Sequence, residues 1–180
     1  QEYIRKYYAG ELTDGWRWFG AHPAVQDGAE GWTFRLWAPK AQRVSVVGDF
    51  NNWDESRNPL EYRDGIWSGF IPGLKQMDIY KYAVAGADGR TRLKADPYGF
   101  SMQRPPETAS LICDINGYTW RDAGWLKYRK AHFNRAKYLS QPLNIYEMHL
   151  GSWKKHADGS YYSYAELAGD LAPYLKQMGY

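Results

Sequence analysis

The residues best suited to chemistry lie in one run, Arg43-Val-Ser-Val-Val-Gly-Asp-Phe-Asn-Asn-Trp-Asp54. Trp53 stands beside amide and carboxylate groups, with polar neighbours that give it little to pack against. An aromatic plane held out in that company suits the apolar face and hydroxyl rim of a sugar. The same ring could fold back as a lid on a core, and residue chemistry alone leaves both readings open. Other reactive side chains offer less. His22 stands next to Pro23 with no second ligand at metal spacing, so a structural or solvent-facing role is expected, with no metal and no cofactor. Cys113 is alone, which rules out an intrachain disulfide and fits a reducing compartment. Lys127, Arg129, Lys130, Arg135 and Lys137 form a basic run with no acid until Glu147. Such a run can be an arm for RNA or phosphate, but its aromatics follow no stacking arrangement, so it reads as a solvated linker.

The elements that position Trp53 follow from the pattern around it. Val44 and Val46 alternate with Ser45 and Val47, the period of a strand with one buried face. Gly48, Asp49, Asn51 and Asn52 tolerate tight or left-handed backbone, so a turn follows. Further short strands are expected at 32–36, 66–71, 79–84 and 109–115. Asp64-Gly65 and Asp88-Gly89 are hairpin signals, and Pro72-Gly73 is another turn. In 79–84, Tyr80, Tyr82 and Val84 share one face and Lys81 takes the other. Short strands separated by turn signals predict an antiparallel β-sandwich over residues 24–116. Before it, residues 1–23 form a short helix and lead-in. After it, 117–142 is a linker in which Asp122 caps a short helix. Residues 143–180 begin with Leu143-Asn-Ile-Tyr-Glu-Met-His-Leu150, a largely apolar run fit for a strand buried on both faces. Ser163 and Glu166 form a capping box for a helix with Leu167, Leu171, Tyr174, Leu175 and Met178 on one stripe, kinked at Pro173 and stopped by Gly179. One strand and one helix cannot bury their own faces, so the rest of that domain is expected elsewhere.

Composition narrows the function classes. The chain has 180 residues, a net charge of +3, 9 Trp and 16 Tyr. So small a charge predicts no strong field for nucleic acid or membrane. No apolar run approaches the ~20 residues that span a bilayer. The chain opens Gln1-Glu2-Tyr3, with neither initiator Met nor signal peptide, as a trimmed start would. A soluble, cytoplasmic monomer is expected.

Three stretches also carry a family resemblance, in order and at similar spacing: Phe19-Gly-Ala-His-Pro23; Gly48-Asp49-Phe50-Asn51-Asn52-Trp53 with Leu93-Lys-Ala-Asp-Pro-Tyr98 behind it; and Tyr146-Glu-Met-His-Leu-Gly-Ser-Trp153. From about Trp16 to Tyr180 the chain resembles the 1,4-α-glucan (glycogen) branching enzymes. The Asn-Asn-Trp turn is shared with debranching enzymes and stand-alone glycogen-targeting modules. The Tyr146 to Trp153 stretch and Tyr161-Tyr-Ser-Tyr-Ala-Glu-Leu167 point to branching. The resemblance implies an immunoglobulin-like glucan-binding module (CBM48 type), then the first βα unit of an α-amylase-family (GH13) (β/α)₈ barrel. It implies cleavage of α-1,4 bonds and transfer to a 6-hydroxyl with retention, which needs two carboxylates about 5–5.5 Å apart. None of the catalytic motifs of that family occurs here. Glu147 and His149 share a strand face, but the family draws its catalytic groups from other strands, so they read as a buried structural pair. For α-glucan binding the resemblance carries over Trp53, Lys81 and the turn residue Asn52. A second aromatic platform is expected after the Lys81 strand, where this sequence has Ala87-Asp-Gly-Arg90. That departure implies a weak site.

Overall fold

The computed structural model describes residues 2–180; Gln1 and the side chain of Arg135, one member of the basic run, lie outside the described residues. The chain divides into two compact units, one up to Thr119 and the other Trp120–Tyr180.

Among its described residues the first unit has helix α1 (Glu2–Tyr8) and nine strands: β1 (Gly20–Gln26), β2 (Ala29–Trp37), β3 (Arg43–Gly48), β4 (Glu61–Arg63), β5 (Ile66–Pro72), β6 (Ile79–Ala85), β7 (Thr91–Lys94), β8 (Ser101–Met102) and β9 (Ser110–Leu111). They form two antiparallel sheets, ordered β1-β2-β5-β4 and β3-β6-β9-β8, with β7 sharing the β6 edge. This is the expected immunoglobulin-like sandwich. Its core is the set of inward side chains: Trp32, Phe34 and Leu36 from β2, Val44 and Val46 from β3, Tyr80 and Tyr82 from β6, and Trp67, Ile71 and Ile112. The rings of Phe34, Tyr80 and Tyr82 meet edge to face, a geometry worth about 0.5–1.5 kcal/mol per pair beyond burial.

Several elements differ from the sequence reading. The expected start at residue 24 falls inside β1, which pairs with β2 along its whole length from Gly20 opposite Arg35. Asp27 (φ 51°) and Gly28 (φ 79°) form the connecting turn, the same Asp-Gly signal as at 64–65. Pro23 sits on this outermost strand, where no ladder donor is required of it. β3 is buried on both faces, Ser45 and Val47 included. Its second edge is closed by residues 58–60, through Val46 N to Asn58 O and Leu60 N to Val44 O. The strand expected over 109–115 shrinks to two residues, because Ile112 exchanges hydrogen bonds with Met77 and Asp78 in a turn rather than with a strand.

One polar cluster lies inside this unit. Asp96 is buried, and its Oδ2 accepts from the Tyr80 hydroxyl (2.7 Å) and the Tyr82 hydroxyl (3.1 Å), while Oδ1 accepts from Tyr98 N (2.8 Å). Asp96 N in turn donates to Ser110 Oγ at 2.9 Å. The Leu93 to Tyr98 stretch is thereby tied to β6 and β9.

The second unit holds α2 (Ala123–His132), α3 (Arg135–Leu139), α4 (Leu150–Trp153) and α5 (Tyr164–Met178). Asp122 stands at the N-terminus of α2 but its side chain makes no capping bond. The Ser163–Glu166 capping box forms as expected, α5 runs on through Pro173, and Gly179 closes it at φ 82°. The strand expected over 143–150 is absent. A strand exists through its ladder, and among the described residues none pairs with this segment. It lies instead along α5, with the Tyr146 ring against Tyr174 and Tyr180, and Trp153 Nε1 donating to Tyr146 Oη at 2.7 Å. Glu147 and His149 are exposed rather than a buried pair, since nothing here encloses them. No helix of the described residues is long and apolar enough to cross a membrane.

Candidate functional site

The turn after β3 is built from the backbone outward. Gly48 is extended (φ −178°), and a Cβ on it would lie 2.0 Å from the Ile79 carbonyl and 2.6 Å from the Phe50 ring. Only a residue without a side chain passes that point. Asp49–Asn51 then makes one 3₁₀ turn. Asn51 is buried and every polar atom of its side chain is used: Oδ1 accepts from Gly48 N (3.0 Å), and Nδ2 donates to Val46 O (3.0 Å) and Asn58 Oδ1 (2.7 Å). That anchor holds the next two residues in the left-handed region, Asn52 at φ 55° and Trp53 at φ 60°. A bulky residue pays roughly 1–2 kcal/mol for this conformation. Trp53 N donates to Gly48 O at 2.9 Å and offsets part of the strain.

The result displays Trp53. About a third of its surface (36%) is open to solvent, so it is not a core lid. Its Nε1 donates to Asp49 Oδ1 at 2.8 Å, which fixes the ring's orientation through its polar edge. The neighbouring Asp54 carboxylate caps Ser56 N and Oγ, and these bonds hold it below its ordinary value. Asn52 is exposed.

Lys81 lies on β6 opposite Val47, one residue short of the turn, and between the inward Tyr80 and Tyr82. It is less free than its strand position suggests, since Nζ donates to Thr108 Oγ1 at 2.8 Å. An ammonium has three donors, so two remain. Thr108 carried no signal in the sequence. The loop 87–90 is polar: Arg92 makes a two-pronged contact with Asp88 (2.7 and 3.2 Å), and this partner together with Arg90 N holds the Asp88 carboxyl at about 2. An ion pair stands where a second aromatic platform would be. His22 Nε2 donates to Phe19 O at 2.8 Å, a structural role. Among the described residues no three His, Cys, Asp or Glu side chains gather as they would around a metal.

Comparison with known proteins adds what the chain is similar to. Residues 18–99 match Carbohydrate-binding module 48 (Isoamylase N-terminal domain). The chain is 42% identical over 97% of its length to a 1,4-alpha-glucan branching enzyme of Bacillus cytotoxicus and 46% identical over 92% to one of Rubrobacter xylanophilus. It spans 27% and 22% of those proteins, about a quarter of their length. Among solved structures, a putative alpha amylase from Salmonella typhimurium aligns over 60% of this chain and 17% of its own, at 25% identity and a TM-score of 0.46. Residues 18–99 thus match carbohydrate-binding module 48, and nearly the whole chain is similar to about a quarter of the length of 1,4-alpha-glucan branching enzymes.

Proposed function

We propose that this chain is the glucan-binding N-terminal portion of a 1,4-α-glucan branching enzyme, which cuts α-1,4 bonds and moves the freed chain to a 6-hydroxyl. The observation that carries this is the similarity along 97% of the chain, through both units and not through the module alone. Retention in such a transfer requires a nucleophilic and an acid–base carboxylate. We assign that pair to the greater part of the enzyme, which this chain does not span. The role of this portion is to hold α-glucan: Trp53 stacks on a sugar ring, the two free donors of Lys81 and the amide of Asn52 meet hydroxyls, and no cofactor takes part. A cytoplasmic setting suits the lone thiol of Cys113.

Two measurements test the reading. The whole protein, incubated with amylose, should form α-1,6 linkages with loss of the iodine colour, and the 180-residue chain should form none. New branches from the short chain would refute the assignment of the carboxylates. Binding is the second measurement. One stacked ring contributes on the order of 1–3 kcal/mol, by analogy with a base on an aromatic, and about 4 kcal/mol corresponds to 1 mM. Maltoheptaose should therefore bind in roughly the millimolar range. Trp53→Ala should weaken it about fivefold or more, and Lys81→Ala less, because Thr108 already holds one of its donors. Micromolar binding that survives Trp53→Ala would place the glucan site elsewhere.

A further inference from the structure

The outer face of the sheet that does not carry Trp53 holds a groove of about 540 Å³. Its floor follows from strand register. On β2 the half-buried Thr33 and Arg35 alternate with the buried Trp32, Phe34 and Leu36, and so point outward. Arg35 pairs with Ser68 on β5, Ser68 with Glu61 on β4, and Thr33 with Phe70. A row Arg35–Ser68–Glu61 therefore crosses three strands, on the order of 10 Å, beside a second row of Thr33 and Phe70. Gln26 of β1, Pro59 and Gly69 also line it.

These polar groups are unspent. Among the described residues, the side chains of Gln26, Thr33, Glu61 and Ser68 make no hydrogen bond or ion pair with the protein. Arg35 gives one N–H to Trp18 O (3.2 Å) and lies over the Trp18 ring (5.2 Å), with no carboxylate partner. That leaves most of its five donors for a visitor. Burial of the guanidinium lowers its proton affinity, which makes an acceptor from outside more welcome. The charges decide what kind of visitor. A small anion would meet Glu61 and a cation would meet Arg35, whereas a neutral polyol offers donors to the carboxylate and acceptors to the guanidinium at once. The half-buried ring of Phe70 supplies an apolar surface in the same groove.

We propose that this groove is a second α-glucan subsite, with Arg35, Ser68, Thr33 and Glu61 taking sugar hydroxyls and Phe70 lying under a ring. The proposal rests on the glucan-binding reading above and extends it to the other sheet. Two weak subsites on one unit raise the effective affinity for a long or branched polymer far above that for either alone, since the second contact is intramolecular.

The test is maltoheptaose titrated into the isotopically labelled 180-residue chain, read at backbone amides by NMR. Residues 33, 35, 68 and 70 should shift as a set distinct from residues 48–54. Trp53→Ala should abolish the response of the second set and leave the first. Thr33→Val with Ser68→Ala should weaken the groove response about tenfold and leave the turn unchanged. Ser68→Ala alone, expected to weaken it by a few-fold, serves if the pair disturbs the fold. A response confined to residues 48–54 would overturn the groove while the Trp53 site stands. Groove shifts that persist at full affinity in the double variant would overturn it as well. Silence from both sets would remove the glucan reading and this inference with it.

Discussion

Asp96→Ala is expected to destabilise the sandwich by about 2–6 kcal/mol, since two buried tyrosine hydroxyls lose their acceptor at about 1–3 kcal/mol each. Tyr80 and Tyr82 are 1% and 0% exposed, so water cannot take the place of the carboxylate without opening the core. Against a typical total of about 5–15 kcal/mol, that loss should shift the urea midpoint substantially. An unshifted midpoint would show that the cluster contributes nothing. The pH dependence has an unusual sign. Burial pushes the Asp96 carboxyl up, opposed by the donors Tyr80, Tyr98 N and Tyr82. A group raised in the folded state favours the fold in its protonated form. Its contribution is whole below an unfolded value of about 3.9 and is lost as pH rises through the higher folded value. The stability difference between wild type and Asp96→Asn should therefore shrink as pH is raised from roughly 3 to 7. A difference that grows with pH would mean that the hydrogen bonds outweigh burial.

Gly48→Ala should cost about 3 kcal/mol and disturb the candidate site at the same time. The added Cβ would lie 2.0 Å from a backbone carbonyl, that of Ile79, which cannot rotate away as a side chain would. Strands β3 and β6 must part at the Gly48–Tyr80 pair, an overpacking strain of the larger kind. The Trp53 indole N–H signal should move with it, because Gly48 O is the acceptor that holds Trp53 N. A variant with a wild-type urea midpoint and an unmoved indole signal would show that the turn does not depend on this close approach.

The sandwich was largely legible because period two and Asp-Gly turns are local signals. Trp32 to Leu36 and Tyr80 to Val84 announced their faces, and Gly48 to Asn52 announced a turn. The sequence left Trp53 open between display and core lid. What decides it is Asn51, whose local bonds to Gly48 and Val46 are completed by one to Asn58 only once β3 and the 58–60 segment are side by side. Lys81's partner Thr108 lies 27 positions away and could not be foreseen. β1 was missed although Asp27-Gly28 marked its turn, because Gly20, Pro23 and the aromatics before them resembled a lead-in. The 143–150 segment erred the other way. Its apolar texture suits a strand, but ladder pairing depends on neighbours that an isolated run of residues does not specify.

The position of β1 has a consequence for anyone who would excise this module. A fragment beginning at residue 24 would lose Gly20 to Pro23, which pair with Arg35 to Trp32, and with them Phe19, buried at 0%. It would also lose α1, whose Tyr8 hydroxyl donates to Asp64 O and accepts from Trp37 Nε1. β2 would then present a bare row of N–H and C=O groups to the solvent. Such a row is a template for the same row on another molecule. The shortened module is expected to gather into β-linked dimers and larger aggregates, so β1, besides completing the sheet, shields the β2 edge from other molecules.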